Sequence, residues 1–233
     1  MSSLVLTTLA DGVATITLNR PDKRNALSIE LRRELTATFE TLAGDPAVSV
    51  AVVTGAGSAF CAGMDRSQFG GDTVNREALY ETTKRLFDSL LRFPLPLIAA
   101  VNGPALGGGS AIAASCDVRL ASPTATFGHP EISFGIPPSY GALLRMVPDQ
   151  IARELSFTGR VVGAEEALAL GIVREIHADV VARANAIGRD MAAHSRTVLA
   201  QTKGLILEAG GGVAERAVEA EMELFRAVLF RER

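Results

Sequence analysis

Apolar and polar positions change their period several times along the chain, and each change marks an element. Residues 13–18 (VATITL) alternate apolar and threonine positions, as a strand does, and end at the turn cluster Asn19-Arg20-Pro21-Asp22. From Ser28, a residue suited to capping, Leu31, Leu35, Phe39 and Leu42 recur on one helical face until Gly44 and Pro46 stop the pattern. Residues 48–54 (VSVAVVT) form a near-continuous apolar run of the kind buried on both faces, followed by a small-residue loop over 55–65. A polar, Gly-containing surface loop is expected over 68–75, then a helix over 76–91 carrying Leu79, Leu86, Phe87, Leu90 and Leu91. Residues 97–101 read as a buried strand broken by Asn102-Gly103-Pro104. Gly107, Gly108 and Gly109 then lead into a helix over the small residues 110–115, and 117–121 read as another strand. Beyond Glu131 the pattern is mostly helical, over 140–147, 151–157 and 164–170. A short apolar run at 172–176 follows, then long helices over 180–193, 196–208 and 214–230.

Strands alternating with helices in the first half imply βαβ crossovers, an α/β fold with a largely parallel sheet and helices on its faces. The second half reads as a helical layer or arm. Composition narrows the function. The net charge is −3 and aromatic residues make up 5% of 233, so neither a nucleic-acid nor a membrane-surface footprint is expected. Two cysteines without a CxxC pattern point to a reducing compartment, and three histidines at no metal spacing make a metal site unexpected. The N-terminus lacks a basic, then apolar, leader, and the apolar stretch 95–114 is cut by Pro96, Asn102, Gly103 and Pro104. A cytoplasmic protein is expected.

The chemistry concentrates between residues 97 and 131. A strand, a glycine-rich turn and a helix start present bare backbone N–H groups to a ligand, with the helix dipole favouring negative charge there. Glu131, in a His-Pro-Glu turn, adds one possible base. A phosphate-binding P-loop would need a lysine where Gly109 stands, and no GxGxxG opens the turn in register, so nucleotide binding is disfavoured. The loop Phe60-Cys61-Ala62-Gly63-Met64-Asp65 also follows a buried strand, so two sets of N–H groups could converge at the strands' carboxyl ends. Cys61 has no basic neighbour and is not expected to be a nucleophile, and Asp117 is expected to anchor a turn.

Five motifs in this order resemble the crotonase (enoyl-CoA hydratase/isomerase) superfamily over nearly the whole chain. They are Leu18-Asn19-Arg20-Pro21 with Lys23-Arg24-Asn25-Ala26-Leu27; residues 60–65; residues 99–109 (AAVNGPALGGG); Cys116-Asp117; and Phe127-Gly128-His129-Pro130-Glu131. The resemblance implies a crotonase-like spiral β/α core over 1–178 and a helical C-terminal oligomerisation region over 179–233. It further implies an acyl-CoA thioester as ligand, CoA being part of the substrate and no other cofactor needed, and a homotrimer or a hexamer of two trimers. Carried over by position, the amides of Ala62 and Gly108 form an oxyanion hole, Glu131 is the acid/base, and Arg24, Ala26, Met64, Asp65, Gly107 and Tyr140 line the substrate site.

Two departures from the family pattern bear on the reaction. Family hydratases use two glutamates, and here Ala111 stands at the first position, leaving Glu131 alone. Hydration wants one carboxylate for water and one for the α-proton, whereas a proton shuttle along the acyl chain needs only one. Double-bond isomerisation is therefore favoured. Hydratase, thioester hydrolase or decarboxylase activity on the same platform, and a non-catalytic acyl-CoA binder, stay as alternatives. The family's usual acidic, then Phe- and Lys-containing tail is also missing after Phe230-Arg231-Glu232-Arg233, which is expected to alter CoA affinity or the oligomer interface.

Overall fold

The structure, a computed structural model, describes residues 3–69, 72–210 and 213–230. Residues 70–71 of the expected surface loop, 211–212 of the glycine break and 231–233 of the tail lie outside the described residues. The chain opens with a hairpin, β1 (Val5–Ala10) and β2 (Val13–Leu18), turned by Asp11 and Gly12, both at positive φ. Asp-Gly suits such a turn because its backbone twist matches that of the paired strands. β1 adds to the strands expected from sequence. Five of its six residues are exposed, so it offers no alternation for a hydrophobic pattern to show.

Helix α1 (Ile29–Gly44) starts where expected: Ser28 Oγ accepts from the Leu31 amide at 3.2 Å, and Leu31, Leu35, Phe39 and Leu42 are buried. β3 (Val50–Gly55) follows. α2 (Thr73–Leu91) begins three residues earlier than the apolar pattern indicated, because Asp72 caps it through the Asn75 amide at 2.9 Å. Next come β4 (Leu97–Val101), β5 (Ala105–Leu106), α3 (Gly108–Ala114), β6 (Val118–Ala121) and β7 (Thr126–Gly128). The remaining elements are α4 (Tyr140–Leu144), α5 (Asp149–Thr158), β8 (Val161–Gly163), α6 (Ala164–Ala169), β9 (Glu175–Ile176), α7 (Val180–Ala192), α8 (Arg196–Gly210) and α9 (Val213–Leu229).

Six strands form one sheet in the order β1-β2-β3-β4-β6-β9, parallel except for the opening hairpin. β5, β7 and β8 form a second, smaller sheet. Alternate residues of the large sheet face opposite ways, and both faces are covered. Ile16, Ala51, Val53, Leu97 and Ala99 pack with Leu31, Leu35 and Phe39 of α1. Val13, Val50, Val52, Ile98 and Leu120 pack with Val180, Ala184 and Ile187 of α7. Burial on both sides explains why β3 and β4 read as unbroken apolar runs.

The loops leaving the carboxyl ends of β3 and β4 meet beside the sheet. Cys61 N donates to Pro104 O at 3.1 Å and Leu106 N to Cys61 O at 3.0 Å, while Leu27 N donates to Gly63 O at 2.8 Å and Asp65 N to Leu27 O at 3.3 Å. Segment 61–65 is thereby held between 24–27 on one side and 104–106 on the other. Two amide side chains, the buried Asn25 and the half-buried Asn102, staple this arrangement. Asn25 Nδ2 donates to the carbonyls of Ala56 at 3.0 Å, Ala59 at 2.8 Å and Phe60 at 3.2 Å; Asn102 bonds both N–H and C=O of Gly55.

Candidate active site

The three glycines of the central turn occupy distinct places. A β-carbon on Gly109 would lie 2.1 Å from Cys61 O, so only hydrogen lets this turn approach the neighbouring loop. Gly107 has φ +52, and a β-carbon there would meet Glu131 Oε2 at 3.1 Å. Its amide is bound to Gly128 O at 2.8 Å, which places β7 and the His-Pro-Glu turn alongside. Gly108 is the first residue of α3, where the N–H groups of the opening turn have no intrahelical carbonyl to reach.

Glu131 sits in the 3-10 turn Pro130–Phe134 with its side chain 20% exposed. Nδ1 of the buried His129 holds Oε1 at 3.0 Å, leaving Oε2 the nearer oxygen to Gly107. The imidazole was not among the residues singled out from sequence, since a lone histidine is usually structural. Its contact with Glu131 follows from the Pro130 turn, which folds positions 129 and 131 toward each other.

The loop donor needs correcting. Ala62 N donates to Arg24 O at 2.9 Å, so the expected oxyanion-hole amide is committed within the chain. The reason lies in strand alternation. Ala62, Gly63 and Asp65 bond toward residues 24–27, so the intervening Met64 turns its own N–H to the opposite side, where 106–108 lie. A β-carbon on Gly63 would be 3.4 Å from Gly108 N, which places this loop against that amide. Met64, expected as a channel residue, therefore turns its amide toward the glycine turn, where that of Ala62 was expected.

The other expected residues are spread more widely. Arg24, exposed at φ +48, bends the chain so that its carbonyl meets Ala62; Ala26, half-buried, accepts from Arg20 Nη1 at 3.0 Å. Asp65 is a structural anchor: it pairs with Arg20 at 2.6 Å and caps the turn at Ser67. Burial alone would raise its carboxyl, but the bonds from Ser67 and Arg20 outweigh that and hold it below the usual carboxylate range. Tyr140 is a correction, because its hydroxyl donates to Asp149 at the surface and only its ring packs against the core. Burial pushes the Cys61 thiol up to about 12, as befits a residue that is not a nucleophile. Asp117 anchors β4 through the Leu97 amide at 2.8 Å and pairs with Lys203 of α8 at 2.5 Å. Ala111, buried on α3, presents no polar group. Among the described residues no group of three or more His, Cys, Asp or Glu side chains is placed to hold a metal ion, and no helix is long and apolar enough to cross a membrane.

Two loops and one turn thus bring the Gly108 turn, the loop of Met64 and the Glu131 carboxylate together, and known proteins share the frame. The family model described as enoyl-CoA hydratase/isomerase matches residues 8–232. The chain belongs to the enoyl-CoA hydratase/isomerase family. Within the family, a short-chain-enoyl-CoA hydratase of Clostridium acetobutylicum is 39% identical over 169 residues, covering 70% of this chain and 65% of that protein. The crystal structure of an enoyl-CoA hydratase/isomerase from Xanthobacter autotrophicus Py2 superposes with a TM-score of 0.87 at 32% identity, over 98% of this chain and 88% of that one. That of an enoyl-CoA hydratase/isomerase from Mycobacterium paratuberculosis gives 0.87 at 26% identity, over 98% of both chains. The crotonase fold expected from the motifs is the fold observed, and the helical C-terminal region agrees with it.

Proposed function

We propose that the protein shifts the double bond of an enoyl-CoA thioester, with Glu131 as the only acid/base and the amides of Met64 and Gly108 holding the thioester oxygen. The observation that carries this reading is one carboxylate beside the glycine turn, steadied by His129, with Ala111 apolar at the other family position. Oε2 of Glu131 takes the proton from the carbon next to the thioester. The electron pair moves onto the carbonyl oxygen as an enolate, and the same carboxyl returns the proton two carbons along the chain. Nothing is gained or lost overall. Two preorganised amides at the developing oxyanion would each lower the barrier by about 3–4 kcal/mol. The reading includes self-association through α8, whose Val198, Leu205 and Ile206 stand exposed.

Glu131→Gln keeps the shape and removes the base. Exchange of the α-proton with solvent should stop while binding of a saturated acyl-CoA stays within about twofold; unchanged exchange would remove Glu131 from the mechanism. Hydration is the second reading, favoured by the name of the Clostridium relative. Product analysis separates the two: isomerisation interconverts 2-enoyl and 3-enoyl thioesters, whereas hydration yields a 3-hydroxyacyl thioester from the 2-enoyl substrate alone.

A further inference from the structure

Arg32 lies on α1 with no part of its side chain reaching solvent. Its guanidinium is poorly matched by what surrounds it. Nε donates to Thr82 Oγ1 of α2 at 3.0 Å, Nη1 reaches only the thioether of Met64 at 3.0 Å, and Nη2 is buried with no partner. The acids it senses are Glu30 and Asp65, and both are engaged elsewhere, Glu30 with Gln68 and Asp65 with Arg20 and Ser67. Burial pushes the guanidinium down to about 10, so it still carries its charge at neutral pH. A buried charge without a counter-ion is a strongly unfavourable arrangement, which an anion brought in with a ligand would relieve.

The position of this charge says where that anion would come from. Met64 Sδ touches Nη1 on one side and, on the other, lies 3.9 Å from the place a β-carbon on Gly108 would take. Arg32 is therefore separated from the thioester site by the width of one side chain. That side chain is unbranched and adaptable, and its sulfur is a weak acceptor that a carboxylate would displace.

We propose that Arg32 reads a carboxylate carried by the acyl group itself, so that the preferred substrates are acyl-CoA thioesters of dicarboxylic acids. This rests on the acyl-CoA site described above but not on which reaction occurs there. Met64 swings aside when such a substrate enters, and Nη1 and Nη2 take the carboxylate in a paired, charge-assisted geometry.

The test is calorimetric binding of unreactive pairs matched in carbon number, succinyl-CoA against butyryl-CoA and adipoyl-CoA against hexanoyl-CoA, with free CoA as a third arm. The wild-type protein should bind the carboxylated member about tenfold more tightly in at least one pair. In Arg32→Met the ratio within that pair should fall to about one. Equal or weaker binding of the carboxylated member by the wild type in both pairs overturns the proposal without recourse to any variant. A fall in free-CoA affinity in Arg32→Met as large as the fall for the carboxylated thioester also overturns it, because the guanidinium would then serve the CoA phosphates. Isomerisation fails separately, by absence of double-bond movement, and that result leaves the binding ratio untouched.

Discussion

The two oxygens of Glu131 have different neighbours, and in the proposed reaction that difference leaves one of them to act as the base. Oε1 is held by His129 Nδ1 at 3.0 Å, while Oε2 is the oxygen nearer the glycine turn. His129→Ala would free the carboxylate to rotate. A misplaced base costs rate rather than binding, so kcat for double-bond movement should fall about ten- to a hundredfold with KM within about threefold. His129→Asn, which can still donate, should recover part of the loss; steady-state kinetics on the three proteins decides it. Much at this scale was legible. Gly108 and Glu131 stand out as a bare turn and a carboxylate, and the structure sets that glycine turn beside Glu131, with Gly107 next to Oε2. The choice between Ala62 and Met64 was not legible, because which amide faces inward depends on pairing with residues 24–27, and a loop of small residues carries no mark of that register. Arg32 was hidden for a related reason. It lies next to the Leu31 stripe of α1, where a charged residue is ordinarily taken to face water.

At the scale of elements, the site depends on how closely the post-β3 loop and the β5–α3 turn approach. Gly109 is where they touch, and a methyl group 2.1 Å from Cys61 O requires backbone to move. Gly109→Ala should destabilise the fold by about 1–3 kcal/mol and lower the thermal midpoint. Gly44→Ala, at the end of α1 with open space around its β-carbon position, should be neutral or slightly stabilising. Thermal unfolding of both variants checks the contrast. The same loop is held at its far end by Asp65. A carboxyl lowered in the folded state contributes stability above its unfolded value of 3.8, and that contribution is lost as pH falls through the lower, folded value. Asp65→Asn should accordingly flatten the acid side of the stability curve, seen as midpoints against pH from neutral down to 3. Elements with one strong period were readable in advance. α1 shows its stripe and β3 its unbroken apolar run, while β1 shows neither because it is an edge strand with one buried residue.

Across the whole molecule, the last helix packs over the segment that follows the Glu131 turn. α9 packs on α4 and α2. The contact with α4 is polar: Glu221 accepts from the Gly141 amide at 2.6 Å and from Ser139 Oγ at 2.8 Å. α4 begins a few residues beyond the Glu131 turn, so Glu221 ties the C-terminal helix to the segment that follows Glu131. Its position could be predicted as helical from the 214–230 pattern, but its partner lies 80 residues away and is set by tertiary packing alone. Burial raises the Glu221 carboxyl, and the bonds from Gly141 and Ser139 and the nearby His129 offset this only in part. A carboxyl raised in the folded state binds its proton more readily there than in the unfolded chain. It therefore makes stability fall as pH rises from the ordinary value of 4.5 through the folded one. Glu221→Gln keeps an acceptor for Gly141 and cannot ionise, so across that window its thermal midpoint should gain on the wild type as pH rises. Glu221→Ala leaves the Gly141 amide unpaired and should lie about 1–3 kcal/mol below Glu221→Gln at every pH. A midpoint difference between wild type and Glu221→Gln that stays constant from pH 4 to 8 would show that the carboxyl is not desolvated in solution, and that α9 does not close over α4 as described.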